Sequence, residues 1–209
     1  MTKIKKTSYI AFGAAHLLSA ACRRGAADTS SQMQLTRQCI AHFQQERPSE
    51  GDNEWRIDEF FVSAWSLNIR RDEFCTLAVQ MLRAADPDKL PQTEKAFPDC
   101  EDADVMRIAP LGIVNGYEDG TFQPDRDISR EEAAVILHRL YRVMYGEITA
   151  DPVRYDDDSS IGLWAKESVY AMWQAGVMQG EGQNQFRPEN GYTCEQAIAT
   201  MLRMTMIEV

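Results

Sequence analysis

Apolar residues recur along this chain at the three- and four-residue spacing that lines one face of a helix, with polar residues filling the positions between. The pattern predicts helices over about 8–23, 36–46, 54–66, 70–85, 101–113, 129–145, 162–176 and 193–206. Val105, Ile108, Ala109 and Gly112 share one such face, as do Val169, Met172, Trp173 and Gly176. The helix after each carries Ala133, Ile136, Leu137 and Leu140, or Ala197, Thr200, Met201 and Met204. Trp164 and Trp173, at helical spacing with Val169 and Met172, are expected in the core rather than as carbohydrate platforms. Thr36, Ser129 and Thr193 are placed to cap helix starts, with acidic or amide residues in the following turn. Polar breaks containing proline fall at 48–53 and 86–91. The expected class is all-α.

One stretch of this pattern occurs twice. Gly112-Ile-Val-Asn-Gly116 returns as Gly176-Val-Met-Gln-Gly180, and Phe122, Pro124, Glu131, Ala133 and Arg139 return as Phe186, Pro188, Glu195, Ala197 and Arg203, every pair 64 positions apart. A gapless echo of glycines, aromatic and proline marks an internal structural repeat. Each unit reads as helix, glycine-rich loop, helix. Gly112 and Gly176 can take the left-handed conformation that closes a helix. Glu118-Asp-Gly-Thr121 reads as a tight turn that aims Phe122 inward. One such hairpin cannot bury its apolar face alone, so the units must pack on one another.

Phe97-Pro-Asp99, the run Gly112-Ile-Val-Asn-Gly-Tyr-Glu-Asp-Gly-Thr-Phe-Gln-Pro-Asp125, and Ile128-Ser-Arg-Glu-Glu-Ala133 together resemble an S-layer homology repeat. That family's pattern is F-x-D, a helix, G-I-I-x-G-Y-x-D-G-T-F-x-P, and I-T-R-A-E. The second copy is looser and runs from Tyr155-Asp-Asp157 through Trp164, Gly176, Gly180, Phe186 and Pro188 to Tyr192-Thr-Cys-Glu-Gln196. Ile69-Arg-Arg-Asp-Glu-Phe74 is similar to the I-T-R-A-E-F segment of a further upstream repeat and opens a helix with Leu77, Ala78, Met81 and Leu82. The glycine-rich loop expected before Ile69 is missing, and Leu35-Thr-Arg-Gln38 also imitates the motif, which fits a first repeat split by an insertion. The resemblance implies helix-loop-helix repeats packed with pseudo-threefold symmetry around a central helical bundle. It divides one compact domain into a divergent, inserted repeat over 1–90, a second over 91–150 and a third over 151–209.

The same resemblance implies a non-catalytic module that binds the secondary cell-wall polysaccharide of Gram-positive bacteria, an anionic glycan often carrying ketal-linked pyruvate. Arg71 and Arg130 are then the anion-binding candidates, with Gly116, Tyr117 and Asp119 on the loop beside them. An arginine in the first turn of a helix adds a guanidinium fork to free backbone N–H groups and the helix dipole. Gly116 would let a sugar approach the backbone closely. In the last repeat Cys194 holds the arginine position, Glu181 replaces Tyr117 and Gln183 replaces Asp119. A largely neutral thiol offers no fork, so at most two grooves keep this chemistry. The plainer alternatives are a structural salt bridge from Arg130 to Asp125 or Asp127, and glycines that serve backbone geometry alone.

Composition narrows the field. Hydrophobic residues make up 44% and charged residues 26% of the chain, as in an ordinary globular protein. A net charge of -10 argues against a nucleic-acid binder, which needs a basic surface. The 5 cysteines are odd in number and form no CxxC pair, so neither a disulfide framework nor a zinc site is expected. Asp125, Asp127 and the run Asp156–Asp158 hint at calcium, but without the EF-hand glycine and glutamate spacing. His16, His42 and His138 are scattered, and nothing reads as a catalytic constellation or a cofactor site. Lys3, Lys5 and Lys6 before the apolar stretch from Tyr9 to Cys22 read either as an export signal or as an amphipathic first helix. No stretch is long enough to span a membrane. The sequence shows no separate cargo for an anchor. With the cysteines and the arginine lost at Cys194, this motivates the alternative of an intracellular protein–protein interaction module, against a cell-surface place for a wall binder.

Overall fold

The computed structural model describes residues 67–91, 95–153, 155–205 and 207. The helices expected over 8–23, 36–46 and 54–66, the cap at Thr36 and most of the divergent first repeat lie outside the described residues. Within them the chain is all-α, with no sheet or barrel. Its helices are α1 (Arg71–Ala85), α2 (Ala103–Ile108), α3 (Arg130–Tyr145), α4 (Lys166–Gln174) and α5 (Cys194–Thr205).

The helix ends follow local chemistry. Ser129 accepts a hydrogen bond from Glu132 N while the Glu132 carboxylate accepts from Ser129 N at 3.0 Å, a closed capping box on α3. Thr193 and Gln196 make the same exchange on α5. Asp102 caps α2 by accepting from Asp104 N and Val105 N. The single helix expected over 101–113 is instead α2 followed by a 3-10 turn at Ala109–Leu111. Pro110 cannot donate the next helical hydrogen bond, and Gly112, at φ +70, reverses the chain.

Three short extended segments, just ahead of α1, α3 and α5, meet at the centre. Ile69 N donates to Tyr192 O at 2.8 Å, Tyr192 N to Ile128 O at 2.9 Å, and Ile128 N to Ile69 O at 3.0 Å. The three bonds form a closed cycle among fully buried residues, which satisfies backbone groups that no helix reaches. One register further on, Arg71 N donates to Arg126 O, Arg130 N to Asn190 O and Cys194 N to Leu67 O. The helices splay from this knot, with α1 on α2 and touching α3 and α5, and α3 along α4.

The apolar stripes meet around it. Leu77, Ala78, Met81 and Leu82 of α1, Ala133, Ile136, Leu137 and Leu140 of α3, and Ala197, Met201 and Met204 of α5 are all buried. Phe74 packs edge-on to Tyr192 with ring centroids 6.0 Å apart. Each fully buried aromatic of this kind contributes roughly 1.5–3 kcal/mol. The two tryptophans break the expectation: Trp164 is 60% and Trp173 48% exposed. On α4 the inward side belongs to Val169, Ala171 and Met172, and Trp173, one step round from Met172, points outward. Trp164 precedes α4 and lies against Gly162.

Candidate functional site

Each glycine-rich loop is built by the same internal contacts. Tyr117 N donates to Thr121 O at 2.7 Å in one loop, and Glu181 N to Gln185 O at 2.9 Å in the other. Gly116 and Gly180 sit where the two arms of each loop press together: a Cβ on Gly116 would lie 2.7 Å from Thr121 O, and one on Gly180 2.6 Å from Gln185 O. The loop's own close packing therefore requires both glycines. Asp99 accepts from Phe122 N and Gln123 N, each at 2.7 Å, and Asp157 accepts from Phe186 N and Arg187 N at 2.8 and 2.7 Å. These bonds hold Gln123 and Arg187 at positive φ, 56° and 57°. The bond from Phe122 N is the leading cause that draws the Asp99 carboxyl below its ordinary value. Phe122 and Phe186 are buried beneath, against Phe97 and Tyr155 respectively.

An arginine from one unit crosses the loop of the next. Arg71, at the start of α1, donates through Nε to Phe122 O at 3.0 Å and through Nη2 to Asn115 O at 3.3 Å. Its guanidinium lies 4.7 Å from the centroids of both Tyr117 and Phe122. Arg130, at the start of α3, repeats the pose on the later loop, donating to Phe186 O at 2.9 Å and Gln179 O at 2.8 Å. They are only 5% and 3% exposed. Two of the candidate arginines' three nitrogens thus hold loop carbonyls, and the third, Nη1, faces an acid: Glu132 at 3.7 Å for Arg71 and Glu181 at 3.6 Å for Arg130. Arg130 does sit in an ion pair, with Glu181 rather than Asp125 or Asp127. Burial pushes its guanidinium below the ordinary arginine value, and the Glu181 carboxylate opposes that push.

The structure gathers the sequence candidates at two arginine–loop junctions, the places where the family resemblance expects grooves. Arg71, Gly116 and Tyr117 share the first, Asp119 stands on its exposed rim, and Arg130 belongs to the second. Asp119 accepts from Thr121 N at 2.9 Å and Thr121 Oγ1 at 2.7 Å, so it pins the turn. The free backbone donors expected at the helix starts are engaged. Arg71 N and Asp72 N donate to Arg126 O and Pro124 O, and Arg130 N and Glu131 N to Asn190 O and Pro188 O. These helix-start N–H groups are therefore not open to an incoming anion.

The side chains at these junctions include residues that sequence reasoning passed over. In the first groove Tyr117 Oη donates to Glu132 at 3.1 Å, and Arg126, 46% exposed, reaches both the Tyr117 hydroxyl oxygen and Glu132 Oε1. In the second groove Glu181, 20% exposed, accepts from Gln196 Nε2 at 2.7 Å and Asn190 Nδ2 at 2.9 Å, besides facing Arg130. Arg126 stands in the sequence between Asp125 and Asp127, outside the motif residues that carry the resemblance. Asp99 and Asp157 are visible in the sequence as the acid of F-x-D, a pattern that assigns them no role.

Other candidate chemistries fall elsewhere. Asp158 pairs with Lys166 and Tyr170, and among the described residues no three His, Cys, Asp or Glu groups converge as a metal site. Cys75, Cys100 and Cys194 are buried and outside any disulfide. His138 is buried against Ser168, its Nδ1 3.1 Å from Ser168 Oγ. Among the described residues no helix is long and apolar enough to cross a membrane.

Two segments, 100–134 and 154–193, match the family model for the S-layer homology domain. The chain is 30% identical over 147 residues to cell surface glycoprotein 1 of Acetivibrio thermocellus, covering 65% of this chain and 6% of that protein. It is 31% identical over 113 residues to S-layer protein EA1 of Bacillus anthracis, covering 52% of this chain and 12% of that one. It is 23% identical over 141 residues to a cellulosome-anchoring protein of Acetivibrio thermocellus, covering 65% and 32%. The chain thus spans a third or less of the length of each of these relatives.

Proposed function

We propose, from the premise that residues 100–134 and 154–193 belong to the S-layer homology family, that this chain is a non-catalytic module that binds an anionic cell-wall glycan of Gram-positive bacteria. Its place is the cell surface, as the names of the cell-surface and S-layer relatives suggest. The glycan is of the secondary, pyruvylated type, whose carboxylates suit an arginine-bearing groove. The observation that carries the reading is the composite junction, in which an arginine from one unit lies across the glycine-rich loop of the next.

Three units, over 1–90, 91–150 and 151–209, make one domain with pseudo-threefold symmetry around a central bundle. The closed hydrogen-bond cycle of Ile69, Tyr192 and Ile128 supports that arrangement, because each unit contributes one donor and one acceptor. The buried arginines act as joints between units, and binding falls to the Tyr117 face of the groove.

Co-sedimentation with purified Gram-positive walls tests the reading. The chain is expected in the pellet with intact walls and in the supernatant once the secondary polysaccharide has been extracted. Equal pelleting with both preparations, or none with intact walls, would overturn it and favour the protein-interaction alternative.

A further inference from the structure

The two described grooves share a scaffold and differ in charge. In the first, two cations, Arg71 and Arg126, face a single carboxylate, Glu132. In the second, Asn190 stands where the first has Arg126, Gln196 where it has Glu132, and Glu181 where it has Tyr117. There a single cation, Arg130, faces a single carboxylate, Glu181. The Glu181 carboxylate already takes what an arriving carboxylate would seek: it accepts from Gln196 at 2.7 Å and Asn190 at 2.9 Å, with the Arg130 guanidinium 3.6 Å away. Arg130 itself is occupied by Phe186 O and Gln179 O and is almost wholly buried.

Arg71 is held by loop carbonyls in the same way and is just as buried, so it cannot distinguish the grooves. Arg126 can. It is half-exposed, stands on the loop, and lies 5.3 Å from the Tyr117 ring centroid, which places a planar cation beside an aromatic ring. A pyruvylated sugar presents a carboxylate, the group that a half-exposed guanidinium can take in a charge-assisted pair.

Resting on the glycan-binding reading above, we infer that Arg126, outside the I-T-R-A-E motif, selects the charged ligand in the groove between α1 and the Tyr117 loop. In the groove between α3 and the later loop, Glu181 acts as an internal carboxylate that excludes an anionic ligand. Anion recognition is thereby confined to one of the two described grooves.

The test is a calorimetric titration of the whole chain with a monosaccharide bearing ketal-linked pyruvate, and with its methyl ester, which keeps the shape and removes the charge. Wild type is expected to prefer the acid by about tenfold, the factor for one charge-assisted contact. Arg126→Gln should lose that preference while keeping the ester affinity. The double variant Glu181→Gln with Asn190→Arg, which removes the internal carboxylate and supplies the second cation, should bind one more equivalent of acid than wild type does. The acid-to-ester ratio is insensitive to partial unfolding, so a merely structural role for Arg126 would leave it unmoved. An unchanged ratio in Arg126→Gln, or no added equivalent in the Glu181→Gln, Asn190→Arg double variant, overturns the inference even where wild type binds walls. Failure of wild type to bind pyruvylated wall polymer overturns the underlying reading instead.

Discussion

Replacing Arg130 by alanine removes a joint between two units, and the structure sets the size of the effect. The substitution deletes two hydrogen bonds from a charged donor, to Phe186 O at 2.9 Å and Gln179 O at 2.8 Å, and the stacking 5.0 Å over the Phe186 ring. It also leaves Glu181 without its counter-charge. Hydrogen bonds to charged groups contribute about 1.5–3 kcal/mol each, and breaking a buried ion pair costs about 3–5 kcal/mol. Glu181 keeps two amide donors and some exposure, which offsets part of the loss. The expected destabilisation is therefore about 3 kcal/mol, or roughly 6–12 °C in Tm for a chain of this size. Arg142→Ala is the control, because its pair with Glu147 is exposed and worth at most about 1 kcal/mol. Urea unfolding followed by circular dichroism would give both values. A cost for Arg130→Ala within about 1 kcal/mol of the control would refute the view that this arginine joins the units.

Gly116→Ala should cost about 1–3 kcal/mol, since its Cβ would lie 2.7 Å from Thr121 O. Gly112→Asn, at φ +70 with open space around the site, should cost less; urea midpoints in the reverse order would discredit the packing argument. Burial pushes the His138 imidazole below its ordinary value of 6.5, and Nε2 has no partner. Glu167 and Glu147 favour the proton, while Arg142 and Arg139 oppose it. Below pH 6.5 the unfolded chain takes up a proton that the folded chain resists, so stability should be level above that value and fall as pH drops toward the lowered folded one. His138→Leu should flatten the Tm profile between about pH 7 and 5, and an unaltered slope would count against this assignment.

The parts of this fold that announce themselves in sequence are those set by neighbours along the chain. Stripes such as Ala133, Ile136, Leu137 and Leu140, the cap at Ser129, and the helix-ending glycines Gly112 and Gly176 all depend on spacings of a few residues. The constant offset between the two loops carried the anchors Phe122 and Phe186 into the core as expected. What stayed hidden depends on contacts across the knot. Nothing near Arg71 or Arg130 in sequence signals that their forks end on carbonyls 44–56 positions away. The helix-start N–H groups looked available for an anion because the extended segments that engage them come from another unit. Trp173 misled because one position decides which side of α4 a residue faces, and Met172 takes the inward one.

Calorimetric titration of the whole chain with purified pyruvylated secondary wall polysaccharide, set beside the same polymer after mild-acid removal of its ketals, addresses the central claim most directly. Saturable binding to the first polymer and about tenfold weaker binding or none to the second is the predicted result. Equal affinity for both polymers, or no heat with either, would contradict the account.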